Sequence, residues 1–221
     1  MTDARAAILA RLAGHRTDQA TIAAQAAALL DRVGPTRPDR VRGAPDAVFL
    51  QRLASPAIGA TGERIATLAE LPEAVGRYLA AHALPPLVAV QPHPELAGLA
   101  WAGIATHADI TPDEAVAVGL AHGGIAETAS LVFHSGAHSP TLFAFLPMHH
   151  IVALHAHSVR PWLEDHIAAD PPRNVNLVTG PSGTTDIEGT LVRGAHGPGH
   201  LHVVMIGSNN DADPVAATRP A

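Results

Sequence analysis

The stretch VNLVTGPSGTTDIEGTLV, residues 175–192, concentrates groups suited to holding a ligand. An apolar run ends at Thr179, a Gly-Pro-Ser-Gly turn follows, and Thr185 and Glu188 stand at the spacing of a capping box. A helix opening near Thr184 or Thr185 would aim backbone N–H groups and the hydroxyls of Ser182 and Thr184 beyond the carboxyl end of a strand. Open α/β sheets place ligands there, and helix N-termini favour anions. Gly180 and Gly183 would let a ligand approach the backbone closely. The segment is neither a Walker loop nor a complete G-x-G-x-x-G, and it also reads as an ordinary capped helix with turn glycines.

A second candidate is AHGGIAETAS, in which Glu127 follows an apolar strand and a glycine pair. A carboxylate at a strand end can serve as nucleophile, general base or acceptor for a ligand hydroxyl. It can equally accept backbone N–H bonds across a loop. The 15 histidines cluster at His149-His150, His155-x-His157 and His196-x-x-x-His200-x-His202. On a strand, His155 and His157 would share a face, as would His200 and His202, a geometry open to Zn²⁺. With no HExxH and no carboxylate at ligand spacing, no metal is expected, and most of these histidines read as surface or hydrogen-bonded core residues.

The elements that must position these groups alternate. Strand-like runs fall at Val48–Leu50, Ala57–Ala60, Leu87–Val90, Ala115–Leu120, Ala129–Phe133, Ile151–Leu154, Val175–Val178 and Leu201–Ile206. Helical segments are expected at Leu71–His82, Pro94–Leu99, Pro161–Ala168 and Thr185–Val192. Runs such as LVAV and HVVMI are apolar on both faces, which predicts a largely parallel sheet covered by helices on both faces. A tight strand pair turned at His122-Gly123-Gly124 is a local alternative. Ahead of this, DARAAILARLA has helical spacing up to a stop at Gly14. A second helix, capped by Thr17 or Asp18, runs to Val33. GPTRPDRVRGAP then reads as a linker or surface loop. The expected organisation is therefore helices and linker over 1–44, an α/β domain over 45–207 and a flexible tail over 208–221.

Composition narrows the function. The 221 residues carry 14 Lys+Arg against 20 Asp+Glu, with only 3% aromatics, so the basic stripe and stacking platform of a nucleic-acid binder are missing. With no cysteine, thiolate clusters, disulfides and a Cys nucleophile are excluded from this chain, and no cofactor is assigned to it. No apolar run reaches the ~18 residues of a membrane span, and the opening residues lack a signal-peptide core, so a cytoplasmic location is expected.

At these motifs the chain resembles the LUD family, the lactate-utilisation protein C type. The family pattern G-I-A-E-T-G-T meets Gly124-Ile125-Ala126-Glu127-Thr128, with Ala129 and Ser130 in place of its Gly-Thr. The P-x-x-H-I element meets Pro147, His150 and Ile151. The G-P-S-[basic]-T-A-D-I-E element meets Gly180-Pro181-Ser182, Thr184 and Asp186-Ile187-Glu188, with Gly183 at the basic position and Thr185 for Ala. Gly194 with His196-Gly197-Pro198 meets G-x-H-G-P, and the likeness spans about residues 45 to 207 in order. It implies a fold similar to the ribose-phosphate isomerase, glucosamine-phosphate isomerase and CoA-transferase group. It further implies an accessory role beside iron–sulfur and oxidoreductase subunits that oxidise L-lactate to pyruvate. The ligand, a small organic acid or nucleotide-like molecule, would then meet Thr128, His150, Gly180, Ser182, Thr184, Asp186, Glu188 and His196. The competing expectation is a free-standing enzyme resembling CoA transferases, with Glu127 as covalent nucleophile.

Overall fold

A computed structural model describes residues 4–13, 18–33, 41–166, 172–185 and 188–208. The chain divides into two compact units, Met1–Asp39 and Arg40–Ala221. The first contains α1 (Ala4–Ala13) and α2 (Gln19–Val33). Asp18 caps α2, its Oδ1 accepting the Thr21 N–H at 2.9 Å. Gly14 and Thr17 lie outside the described residues, as do most of the 34–45 linker and the tail beyond Ser208.

The second unit runs α3 (Pro45–Leu53), β1 (Thr61–Ile65), α4 (Leu71–Ala81), β2 (Leu87–Val90), α5 (Pro94–Ala97), β3 (Ala105–His107) and β4 (Val116–Leu120). It continues with β5 (Gly123–Ile125), β6 (Ser130–His134), β7 (His149–His155) and β8 (Val159–Arg160). The last strands are β9 (Val175–Val178), β10 (Gly183–Thr185), β11 (Leu191–Arg193) and β12 (His200–Ile206). Six strands form one sheet in the order β1-β12-β7-β4-β2-β3, every neighbouring pair parallel.

Alternation along the central strands builds a core on each face of this sheet. Ile151 and Ala153 of β7 and Val204 and Ile206 of β12 pack with Leu71, Val75 and Leu79 of α4 and with Leu96 of α5. Val152, Leu154, Val203 and Met205 point the other way, toward Phe49 and Leu53 of α3 and toward Leu131 and Phe133 of β6. The second face is therefore covered by one helix together with a four-stranded sheet, β8-β5-β6-β9, rather than by helices alone.

Several expectations change for identifiable reasons. Val48–Leu50 lies inside α3, where Pro45 opens the helix and Phe49 and Leu53, four residues apart, share its buried face. Ala57–Ala60 is a turn that leads into β1, which begins at Thr61. The expected helix at Thr185–Val192 is instead the β10–β11 hairpin, pairing Gly183 with Arg193 and Thr185 with Leu191. Its β-branched Thr184, Thr185 and Val192 suit strands, and the capping-box spacing of Thr185 and Glu188 caps nothing there. His122-Gly123-Gly124 does not turn a hairpin either: β4 belongs to the large sheet and β5 to the small one, so the chain changes sheet at this point. The expected helix at 161–168 is, within the described residues, a single 3₁₀ turn over Leu163–His166.

Candidate functional site

The GIAET segment is a β-hairpin. Gly124 pairs with Leu131 and Ile125 with Ser130, leaving Ala126–Ala129 as the loop. Its fourth residue, the buried Ala129, adopts φ +53°, a backbone region that favours Gly, the residue the resembled family carries there. Glu127 is half-buried. Its backbone is held from both sides: the N–H donates to the Pro161 carbonyl at 3.1 Å, and the carbonyl accepts Arg52 Nη1 at 2.5 Å.

Thr128 Oγ1 lies 2.7 Å from Ser130 Oγ, which lies 2.5 Å from Thr179 Oγ1. Since β6 and β9 pair Leu131 with Val178, Ser130 and Thr179 fall opposite one another, and the hairpin is tied to the start of the GPSG turn. Gly180 follows at φ +78°, pressed so closely on the Ile58 carbonyl that a Cβ would lie 2.6 Å from its oxygen. Sequence reasoning missed Ser130, Thr179 and Arg52. The first two are ordinary hydroxyls whose pairing depends on strand register, and Arg52 stands 75 residues from the carbonyl it meets.

The GPSG turn then meets the G-x-H-G-P loop. Ser182 donates its N–H to the Pro198 carbonyl at 2.7 Å and accepts the Gly194 N–H at 3.1 Å. Thr184 Oγ1 lies 3.1 Å from His196 Nδ1. The G-x-H-G-P loop borders a cleft of about 590 Å³ lined by Asp113, Glu114, Phe145, Met148, His196 and Gly197, among others. Ala115 and Met148 immediately precede β4 and β7, so the cleft sits at the amino ends of parallel strands. The expected arrangement, a loop at a carboxyl end leading into a helix N-terminus, is therefore not formed. β9 belongs to the smaller sheet and the GPSG turn enters a strand.

The remaining predicted residues separate. Glu188 is exposed between β10 and β11, and Asp186 lies outside the described residues. His150 is fully buried with no hydrogen-bond partner among the described residues on either ring nitrogen, and burial pushes its pKa down to about 3. It stacks on Phe133 at 5.7 Å and does not face the cleft. Glu127 lines none of the cavities described here. The structure thus links Thr128 through Ser130 to Thr179, beside Gly180, and ties Ser182 and Thr184 to the G-x-H-G-P loop, with only Thr184 meeting His196 itself, but places His150 and Glu127 elsewhere.

The histidine pairs form no ligand shell. His200 stacks on His149 at 4.2 Å while His202 Nδ1 meets Thr61 Oγ1 at 2.8 Å. His155 meets Glu95 at 2.8 Å, and its ring lies 5.1 Å from that of His157. Among the described residues, no three His, Asp or Glu side chains are placed to hold a metal ion. No helix among them is long and apolar enough to cross a membrane.

Residues 114–206 match the family model of the LUD domain. A curated relative, uncharacterized protein NMB1437 of Neisseria meningitidis serogroup B, is 32% identical over 89 residues. That match covers 38% of this chain and 38% of the relative, so less than half of the relative's length is represented. The crystal structure of a DUF162 family protein from Deinococcus radiodurans superposes with a TM-score of 0.51 and 19% identity. It covers 74% of this chain and 96% of that one, a likeness of fold.

Proposed function

We propose that the chain, whose residues 114–206 match the family model of the LUD domain, serves lactate utilisation as an accessory or regulatory subunit beside iron–sulfur and oxidoreductase subunits that convert L-lactate to pyruvate. Its ligand site is the cleft lined by His196, whose Nδ1 lies 3.1 Å from Thr184 Oγ1. The supporting observation is convergence. The GIAET, GPSG and G-x-H-G-P segments are linked in series through Ser130–Thr179, Ser182–Pro198 and Thr184–His196. With no cysteine among its 221 residues, this chain cannot itself hold a thiolate-ligated cluster, which supports a division of labour with a cluster-bearing subunit.

A volume of about 590 Å³ suits a nucleotide-sized ligand. His196 is the only side chain of the lining able to become cationic, since neither Lys nor Arg is present there. The ligand is therefore weakly charged, and a polyphosphate fits poorly.

Deleting the gene should slow growth on L-lactate and spare growth on glucose, and the tagged chain should co-purify an iron–sulfur subunit. In a thermal-shift screen of nucleosides, nucleotides and CoA esters, a ligand at 100 times its Kd adds about 2.7 kcal/mol. Ala195→Phe, an exposed position lining the cleft, should remove that shift. Unimpaired growth of the deletion strain, or acyl-CoA turnover that depends on Glu127, would replace this reading with a free-standing CoA-transferase-like enzyme.

A further inference from the structure

The large sheet has a crevice of its own, lined by residues outside the motifs. From β2 the chain passes through α5 to β3 on one side, whereas from β4 it continues to β7 on the other. Strands whose outgoing connections diverge leave a crevice beyond their carboxyl ends, where open α/β sheets bind ligands. Here the two diverging loops carry Gln91 and His93 after β2 and Ala121 and His122 after β4. A cavity of about 250 Å³ lies between them, lined by Gln91, His93, His122, His134, His138 and Ser139 along with small residues.

This crevice is built and braced. Gln91 is buried, its Oε1 accepting the Leu120 N–H at 3.0 Å while its Nε2 donates to the His138 carbonyl at 2.8 Å. It thereby ties the ends of both strands to the 136–139 turn. His93 Nδ1 accepts the Glu95 N–H at 3.3 Å, which leaves its Nε2 to carry the proton when neutral. His138 Nδ1 donates to the Pro92 carbonyl at 3.1 Å, leaving Nε2 bare. The rings of His122 and His134 stack 3.6 Å apart. An adjoining cleft of about 520 Å³ shares Gln91 and His138 with it.

The lining contains four imidazoles and a hydroxyl, and no carboxylate. Such a cavity can acquire positive charge and has no negative charge of its own. Its volume lies below the ~300–1,000 Å³ of sites for drug-sized ligands, so a nucleotide is too large. Without Lys or Arg, the lining lacks the strong donors a phosphate dianion calls for.

We propose that the crevice between the carboxyl ends of β2 and β4 binds a short-chain carboxylate, held by the His122, His134 and His93 rings and the Ser139 hydroxyl. The site is separate from the amino-end cleft and does not depend on the function assigned to it. Burial pushes the His122 and His134 pKa values down, His134 and then His166 adding to the effect at His122, and His166 alone adding to it at His134. His166 itself faces the Gly124 carbonyl at 2.9 Å, and the nearby Glu95 is engaged by His155. An arriving carboxylate therefore favours proton uptake by a ring that was neutral, and binding strengthens as pH falls.

Titration calorimetry of the full chain with acetate, pyruvate, L-lactate and inorganic phosphate at pH 6 and pH 8 tests this. At least one carboxylate should bind more tightly at pH 6, with a buffer-dependent heat that reports proton uptake. The double variant His122→Asn/His134→Asn should weaken binding about tenfold, and Ala137→Phe, which narrows the mouth and leaves every imidazole in place, should do the same. Ala195→Phe in the other cleft should change nothing. The proposal is overturned if no carboxylate binds at millimolar concentration, if phosphate binds in preference, or if folded Ala137→Phe binds normally. Loss of carboxylate binding in Ala195→Phe alone would overturn it as well, by moving the acid to the amino-end cleft.

Discussion

Ser130 and Thr179, 49 residues apart, bring their hydroxyl oxygens within 2.5 Å of each other, and this contact joins the GIAET hairpin to the GPSG turn. Ser130 is buried and also meets Thr128, so its oxygen serves both partners. Ser130→Ala should lower stability by about 1 kcal/mol, as for a typical buried hydrogen bond. Urea unfolding of Ser130→Ala, Thr179→Ala and the double variant measures the coupling. Strict additivity of the two single losses would show that the hydroxyls do not interact.

Acid should destabilise this protein well above the carboxylate range. His150 is buried with its pKa near 3 and His149 is held near 4, the latter by burial first and then by His200 and His82. An unfolded chain protonates the same rings at about 6.5. The unfolded state therefore binds more protons as pH falls from about 6.5 toward those folded values, and stability is lost across that window. For His150 alone the loss at pH 5 relative to pH 8 is about 2 kcal/mol. Because both its ring nitrogens lack partners, His150→Phe should be close to neutral at pH 8 and should flatten the acid limb. An unchanged slope between pH 8 and pH 5 would contradict this.

Two glycines with similar backbone angles should respond differently to alanine. Gly180 and Gly189 have φ +78° and +83°, but a Cβ on Gly180 would meet the Ile58 carbonyl oxygen at 2.6 Å, whereas Gly189 has nothing within 4 Å. Gly189→Ala should cost about 1–2 kcal/mol, the strain of the left-handed conformation. Gly180→Ala adds a backbone clash and should cost more, with line broadening at Ile58 and Ser182 in NMR spectra. Equal losses in thermal unfolding would mean that the loop moves away freely.

Gly119 is a different case, since its limit is space alone. A Cβ there would lie 2.9 Å from Gln91 Oε1 and 3.1 Å from His150 Nε2. Gly119→Ala should therefore displace Gln91 from the Leu120 N–H and cost about 1–3 kcal/mol through overpacking. Faster hydrogen exchange at Leu120 relative to its β4 neighbours is the specific sign of that displacement.

The amino-acid sequence by itself determined the elements whose residues carry their own instructions. LVAV and VNLV are strands at the expected bounds, and α4 ends one residue short of the expected His82. These runs are apolar, of the right period, and closed by Pro, Gly or a cap, so neighbours only complete them. The motifs and their order likewise resemble the LUD family, whose model residues 114–206 match. Short ambiguous segments were decided by their partners. AVFL became helix because Phe49 and Leu53 could be buried together against β6, and TTDIEGTLV became a hairpin because Thr185 and Leu191 could pair. Tertiary structure alone also decided which chemical groups meet. Ser130 faces Thr179 through strand register, and His93, His122, His134 and His138 share a cavity only because β4 lies beside β2 in the sheet. Strand order is set by the global burial of apolar faces, a property of the whole chain that no local window contains.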